Sequence, residues 1–576
     1  MLLRNVVRKK IFQTAQWNGK IQHISEFKFH SSSLLCSKGN PEVTGRPSSD
    51  EFIAEPFDCE VARRRQQAQC SVVVQVHSEQ SCGQLHDYCS EFGEIKTLHH
   101  YTPASNPSMH FILVEFKDND VIPGVLNACG YNERNQVIPV SSRMLWFRAN
   151  QKKKLSKSNS KLTVPLIMAT PPLTRPQLLE WLRESETVSD QVRLVYGATR
   201  LDDLGVRLRY LTAHQLEAAV SGLFPRAQVR LFGSSVNGFG RQGCDLDLVL
   251  QLDNRSEEED TQCRLMFHAK PSLNVRSQTQ RHIDGLADMV QWFLPGCMDV
   301  RRILQARVPI VKFRQELTDI DCDLTLTNMA AVFMSELLYL FGSCDCRTRP
   351  LVFTVRRWAA DVGLTNPSPG RWVSNFSLTL LVIFYLQWSK VLPTLDQLRQ
   401  LAGKADRRIA EDGVNCTFLR DPSKISPSDN SSSIEELLLG FFEYYAGFDF
   451  CSQGISLGPG APVRKRDHSA MFIVNPLEPH LNVSQNVSLE ETERLRIACR
   501  NAAWELESGE EVHSTDQDWG LLRLFNNKAV EEKTKQLEHL YFAPKRKSRL
   551  VVSKLFEEDV PSSKKASKTA EKKIAR

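Results

Sequence analysis

Paired cysteines are the first thing missing from this sequence. Fifteen cysteines occur, yet none forms a Cys-x-x-Cys pair, and the nearest two are Cys344 and Cys346. That spacing argues against a zinc ribbon and against a secreted disulfide framework, and it fits free thiols in a reducing compartment. Long apolar runs are missing as well. The longest extends only from Leu378 to Leu386, too short for a bilayer and suited to a buried helix, so no membrane span is expected. Asn-x-Ser/Thr triplets at Asn415 and Asn482 have no secretory signal beside them and read as chance matches. Acidic residues are absent up to Ser25, where Arg4, Arg8, Lys9, Lys10 and Lys20 stand. Leu2, Leu3, Val6, Val7, Ile11 and Phe12 can share a helical face opposite them. A basic, acid-free, amphipathic start is the composition of a mitochondrial import segment, assigned to residues 1–40 and implying the matrix.

What is present suits a folded, soluble, multidomain chain. The 576 residues exceed one core, and 41% hydrophobic with 24% charged residues is ordinary. The net charge of +6 is compatible with a polyanionic partner without requiring one. Residues 41–70 are polar, carry Arg63-Arg64-Arg65 and read as a linker. Residues 71–148 then alternate strand and helix patterns in the order β-α-β-β-α-β, the ferredoxin-like arrangement of RNA-recognition domains. Such a sheet stacks bases on aromatics of its two central strands. Here the strand Met109 to Phe116 lacks the expected basic residue and glycines and has Leu113 at an aromatic position, while Val73 replaces the other aromatic. The stacking platform reads as lost, and a protein–protein role, such as homodimerisation, is favoured over RNA binding. Residues 149–177 form a Lys/Ser-rich basic linker, helical periodicity runs from Leu178 to Leu223, and residues 516–576 read as a basic, largely disordered tail.

The chemistry concentrates between these segments. Val229 to Phe232 is a short strand; Gly233-Ser234 leaves it, and the next strand carries Asp245-Leu246-Asp247-Leu248. Strand side chains alternate faces, so Asp245 and Asp247 share one side while the leucines enter the core. Neighbouring like charges are unfavourable unless neutralised, and a divalent metal does this. Phosphoryl transfer needs little beyond in-line geometry and two such ions. A third carboxylate is wanted on another strand. Asp323, in Asp321-Cys-Asp-Leu-Thr-Leu-Thr-Asn328, is the candidate; Asp321 shares its face and is a rival. The segment from Arg307 to Phe313 supplies the paired strand. Gly233-Ser234 offers N–H groups and a hydroxyl to phosphate oxygens. It is not a Walker loop, because no Gly-Lys-Ser/Thr follows.

With these residues the sequence, from about Thr187 to Ala503, resembles the polymerase-β-like nucleotidyltransferases, specifically the poly(A) polymerase and terminal uridylyltransferase family. The resemblance implies an α+β fold. Its parts are a palm domain (residues 178–335, with preceding helices), a helical central and poly(A)-polymerase-associated domain (336–515), and the RNA-recognition-like domain in front. It implies Asp245, Asp247 and Asp323 as catalytic metal ligands for magnesium or manganese, and Gly233, Ser234, Gly243 and Cys244 as the phosphate-binding loop. Asn328 falls where the family contacts the nucleotide ribose. Arg356 falls at a triphosphate-binding lysine, with Ala360 where many members have a second basic residue and Arg357 as a substitute. In Trp372-Val-Ser-Asn-Phe-Ser-Leu378, Asn375 would bind phosphate or ribose and Phe376 would stack on the base. Asn475 to Pro479 with Asn482 resembles a base-selecting loop. Phe441, Phe442 and Tyr445 lie in the associated segment, although their spacing alone makes them core residues. The implied activity is addition of AMP from ATP to an RNA 3′ end, with uridylyl transfer and a catalytically silent RNA-binding scaffold as alternatives.

Overall fold

The computed structural model describes residues 55–130, 141–148, 164–252, 264–265, 268, 274–306, 308–326, 328–366, 368, 370–410, 413–508 and 518–525. The import segment and the tail beyond Phe525 lie outside them.

The described residues open on a helix where a linker was expected, α1 (Phe57–Gln69). The arginine run that suggested a solvated connector is what fixes it. Arg64 bonds Glu60 one turn earlier at 2.8 Å, and Arg65 reaches across to Glu217 at 2.9 Å. The amino-terminal sheet follows: β1 (Ser71–Val76), α2 (Cys82–Ser90), β2 (Ile95–Tyr101), β3 (His110–Phe116), α3 (Val121–Asn127), β4 (Met144–Trp146) and β5 (Leu166–Met168). Its strand order is β4-β1-β3-β2-β5. The first four positions follow the ferredoxin-like order, but β4 pairs with β1 in parallel, where that arrangement has an antiparallel edge. β4 enters from Arg143, whose N–H is held by Gln215 at 2.9 Å, so the edge strand is laid down by its neighbour domain. β5 lies inside the stretch expected to be linker and extends the opposite edge.

Helices α4 (Arg175–Glu184), α5 (Val188–Thr199) and α6 (Asp203–Val220) precede the palm sheet. That sheet is built from β6 (Gln228–Phe232), β7 (Leu246–Gln251), β8 (Cys297–Ile303), β9 (Ile310–Gln315) and β10 (Ile320–Thr325), with α7 (Val275–Phe293) between β7 and β8. Its order is β6-β7-β10-β9-β8. Leu246, Leu248 and Leu250 are buried, as are Cys322 and Leu324, so the period-2 alternation turns the aspartates away from the core.

α8 (Met329–Cys344) carries the chain out of the palm into a helical bundle. The expected boundary at 335/336 therefore falls inside a continuous helix. The bundle comprises α9 (Thr348–Asp361), α10 (Asn375–Trp388), α11 (Leu395–Leu401), α12 (Ile434–Gly447), α13 (Leu489–Glu507) and α14 (Leu521–Phe525). α10 is apolar all round and buried from Ser377 to Gln387, as a central core helix must be. α12 starts at Ser433 with a capping box to Glu436. Its Phe441, Phe442 and Tyr445 are fully buried, the packing role their spacing indicated. Phe442 meets Trp358 edge-on at 4.7 Å, and the Tyr445 hydroxyl donates to the Leu381 carbonyl at 2.8 Å. α14 falls within the expected tail, yet Leu521, Leu522, Leu524 and Phe525 are buried in this same core. Among the described residues no single helix is long and apolar enough to cross a membrane.

The amino-terminal sheet is not an independent bead. Its inward face (Val73, Tyr101, Phe111, Leu113 and Met144) shares one hydrophobic cluster with Leu204, Leu208 and Leu211 of α6. The Tyr101 hydroxyl donates to the Leu317 carbonyl at 2.8 Å, and Arg207 of α6 pairs with the buried Glu115. The face on which bases would stack is thus filled by the palm.

Candidate active site

The carboxylates are set by strand register. β7 and β10 run parallel with Asp323 opposite Asp247, and β9 places Lys312 opposite Asp323 on the other side. Asp245 is the exposed residue immediately before β7. Charge crowding is severe at the centre of this group. Burial first, then Asp323 and Asp245, push the Asp247 carboxyl up to about 7. Burial and Asp323 also raise Asp245. Lys312 partly offsets this: its ammonium bonds Asp323 Oδ2 at 2.6 Å, and despite burial that bond raises the lysine's own pKa. Asp321, the rival, is exposed and pairs with Arg314 at 3.2 Å; Asp323 is the stronger neighbour of Asp245. The residue types fit hard cations, which take a few carboxylates plus water and phosphate oxygens rather than a complete protein cage. Among the described residues no three ligating side chains are already arranged around one ion position, and Asp323 is bonded to Lys312.

The turn after β6 is a 3₁₀ turn, Gly233–Ser235. Gly233 has φ +70°, and a β-carbon there would lie 2.1 Å from Asp247 Oδ2. Only glycine lets the carboxylate rest on the turn in this left-handed conformation. The Gly233 N–H, expected to face phosphate, instead donates to Ser335 Oγ of α8 at 2.8 Å. That leaves Ser234, whose hydroxyl has no hydrogen-bond partner among the described residues. Ser235 is buried, and its hydroxyl donates to the Asp245 carbonyl at 3.0 Å. Gly243 has φ +72° with open space around it, and Cys244 is half-buried behind it.

The remaining candidates surround this centre unevenly. Arg356 on α9 donates to the Phe239 carbonyl at 2.7 Å. Burial and the nearby Arg241 lower its pKa to about 10. A half-buried guanidinium beside a second arginine is suited to an anion. Arg357, next to Arg356 on α9, is bonded to Asp361 at 2.9 Å and lies over the Phe525 ring. Asn328 occupies the cap position of α8 without a capping bond from its side chain. Asn375 and Phe376 open α10, where Ser374 makes the cap; both are exposed, with the ring 36% accessible. No bond ties either of them to the carboxylates among the described residues. The Asn475 side chain closes its own loop by accepting from Leu477 and Glu478, each at 3.1 Å. Asn482 stitches Met471 and Ile473.

Sequence reasoning assigned no role to Lys312, Arg241, Ser335 or Arg209. Lys312 was within reach: alternation along Val311-Lys312-Phe313 puts it on the face of the paired strand that meets Asp323. Ser335 and Arg209 carry no such signal, since each reaches the turn from a helix distant in the chain.

Residues 188–343 match the central palm domain of the "Poly(A) RNA polymerase, mitochondrial-like" family, and residues 433–486 match the "Cid1 family poly A polymerase" associated domain. The chain is 47% identical over 547 residues to the mitochondrial poly(A) RNA polymerase of Drosophila melanogaster, covering 92% of this chain and 87% of that protein. The chain belongs to the mitochondrial poly(A) RNA polymerase family. The human family member is 37% identical over 82% of this chain and 81% of its own length. A crystal structure of mtPAP in complex with ATPγS superimposes with a TM-score of 0.74 at 31% identity, covering 82% of this chain and 99% of that one. Related structures hold UTP, GTP or CTP.

Proposed function

We propose that this family member elongates RNA 3′ ends with AMP from ATP, with Asp245, Asp247 and Asp323 holding the divalent ions. As a member of this family it is a poly(A) polymerase and a mitochondrial protein. The observation that carries the site reading is the parallel register of Asp247 against Asp323, which sets acidic groups side by side; burial, and then that crowding, push the Asp247 carboxyl up to about 7. When bound, magnesium or manganese supplies charge neutralisation at the attacking and leaving oxygens. The chain's own residues do the rest. Ser234 offers a hydroxyl to the triphosphate, Gly243 and Cys244 shape the loop beneath it, and half-buried Arg356 with exposed Arg241 presents positive charge to it. Asn328 and Asn375 are placed for ribose or phosphate, and Phe376 offers an accessible ring to the base. The RNA 3′-hydroxyl gives its proton up to solvent as its oxygen bonds the α-phosphorus, the bond from that phosphorus to the bridging oxygen breaks, and pyrophosphate leaves.

Uridylyl transfer is the second reading, because the homologous mtPAP structures hold UTP as well as ATPγS. Each triphosphate offered alone to purified protein with an RNA primer separates the two. ATP is expected to give long tails and the others only short additions; faster extension with UTP would overturn the assignment. A magnesium-dependent product of any kind removes the silent-scaffold reading.

Homodimerisation through residues 71–148 remains part of the proposal, restricted to the surfaces the palm leaves open. Exposed Tyr88 and Trp146 lie on those surfaces. Light scattering of the whole chain is expected to give twice the monomer mass, and a monomer at micromolar concentration rejects this. Residues 1–40 fused to a reporter are expected to carry it into the matrix; a cytosolic signal rejects the import reading.

A further inference from the structure

We propose that Arg209 is a positioning residue for nucleotidyl transfer, clamping the two arms of the catalytic turn to each other from underneath. The inference rests on the site reading above. Arg209 lies in the middle of α6 and is 4% exposed. Its Nε donates to Ser235 Oγ at 3.1 Å. Its Nη2 donates to the Cys244 carbonyl and lies 3.5 Å from the Cys244 sulfur, and its Nη1 donates to Gly205 O at 3.1 Å. Ser235 relays the contact, donating from the same hydroxyl to the Asp245 carbonyl at 3.0 Å. One planar guanidinium therefore spans the turn after β6 and the segment entering β7, about ten residues apart in sequence.

The choice of residue needs explaining. No carboxylate is among the hydrogen-bond partners of this buried cation, although an uncompensated buried charge is costly. If α6 needed only packing here, an apolar side chain would serve better. The fork geometry of arginine answers a different need: several oxygens, on separate segments, held in one plane. Those segments bear Ser234 on one side and Asp245 on the other, the groups whose separation sets where triphosphate and metal ligands meet. Misplacing reacting groups by about 1 Å can cost roughly 10²-fold in rate. Arg209 also leaves net positive charge beneath a turn that is to receive a polyanion.

The test uses the full chain with Arg209→Met, Arg209→Lys and Ser235→Ala, with Asp245→Ala alongside. The readouts are kcat and KM for ATP taken separately, and Mn2+ binding to nucleotide-free protein by electron paramagnetic resonance. Arg209→Met is expected to lose about 10²-fold in kcat, by the same misplacement argument, with a raised KM and weakened Mn2+ binding. Arg209→Lys keeps the charge but reaches one arm only, and recovers part of the loss. Ser235→Ala cuts the relay to Asp245 and lowers kcat with little change in KM. If folded Arg209→Met, corrected for its active fraction, has parental kcat, KM and Mn2+ binding while Asp245→Ala is dead, the positioning role is wrong and the site reading stands. If Asp245→Ala itself tails RNA, the site reading fails first. Should Arg209→Met not fold, parental kinetics in both Arg209→Lys and Ser235→Ala overturn the proposal.

Discussion

Asp247→Asn is expected to abolish nucleotide addition and, in metal-free buffer, to make the protein more stable near pH 8. Both effects come from one side chain. Burial, with Asp323 and Asp245 beside it, pushes the folded-state carboxyl up to about 7, against about 3.9 for an unfolded aspartate. Between those values the folded chain holds a proton that the unfolded chain has released. Stability from this group is therefore present at low pH, falls as pH rises from about 4 to about 7, and levels off above. At 1.36 kcal/mol per unit the fall is on the order of 2–4 kcal/mol. Asparagine keeps the volume and cannot ionise, so that part of the slope disappears. The same change removes the carboxylate that a cation requires, and loss of a central catalytic group costs on the order of 10³-fold or more. Millimolar magnesium should raise the melting temperature of the parent and do little for the variant, since only a ligand that binds the folded state stabilises it. Melting curves from pH 4 to 8 with and without EDTA, and a primer-extension assay, measure all of this. An unchanged pH slope, or tailing at the parental rate, would remove Asp247 from the centre.

What could be read beforehand divides along physical lines. The palm strands were legible because a strand with one buried face writes its burial into alternate residues: Leu246, Leu248 and Leu324 inside, Asp247 and Asp323 outside. That alternation also located the carboxylates, and it held Lys312 in plain view. β8 and α7 were not anticipated. β8 is largely exposed and departs from regular pairing between Met298 and Arg301, so no alternation marks it. α1 was misread because its face is polar; arginines that looked solvated find Glu60 and Glu217, partners that no local pattern shows. The supports of the turn were equally hidden. Ser335 and Arg209 sit about a hundred residues beyond and a few tens before the residues they hold, and only the tertiary fold joins them. The most instructive case is the amino-terminal sheet. The absence of stacking aromatics at Val73 and Leu113 argued against a base-stacking platform, but the sequence could not say what would stand in place of RNA on that face. The replacement is α6 of the same chain.

That burial leads to the second large expected effect. Leu113→Asp should destabilise the whole described chain by more than about 4 kcal/mol, the class of change caused by an unpaired charge in a core. Leu113 is fully buried, pairs with Val73 across β1 and β3, and belongs to the cluster that contains Leu204, Leu208 and Leu211. Glu115, two residues along the same face, shows what a carboxylate needs there. It is matched by Lys96 at 2.9 Å, by Thr97 at 3.0 Å and by Arg207. Position 113 faces only the buried imidazole of His99 across β2, with no lysine or arginine among the described residues bonded there as at Glu115. Because α6 also carries Arg209, loosening this face should lower tailing activity in step with the melting temperature. A milder variant separates this from an RNA-binding role. Leu113→Phe restores the aromatic that an RNA-recognition sheet would use, so a working platform would bind RNA more tightly. A filled interface instead takes an oversized ring at a cost of about 1–3 kcal/mol, with RNA affinity unchanged. Tighter RNA binding by Leu113→Phe without loss of melting temperature would show that the palm does not occupy this face in solution.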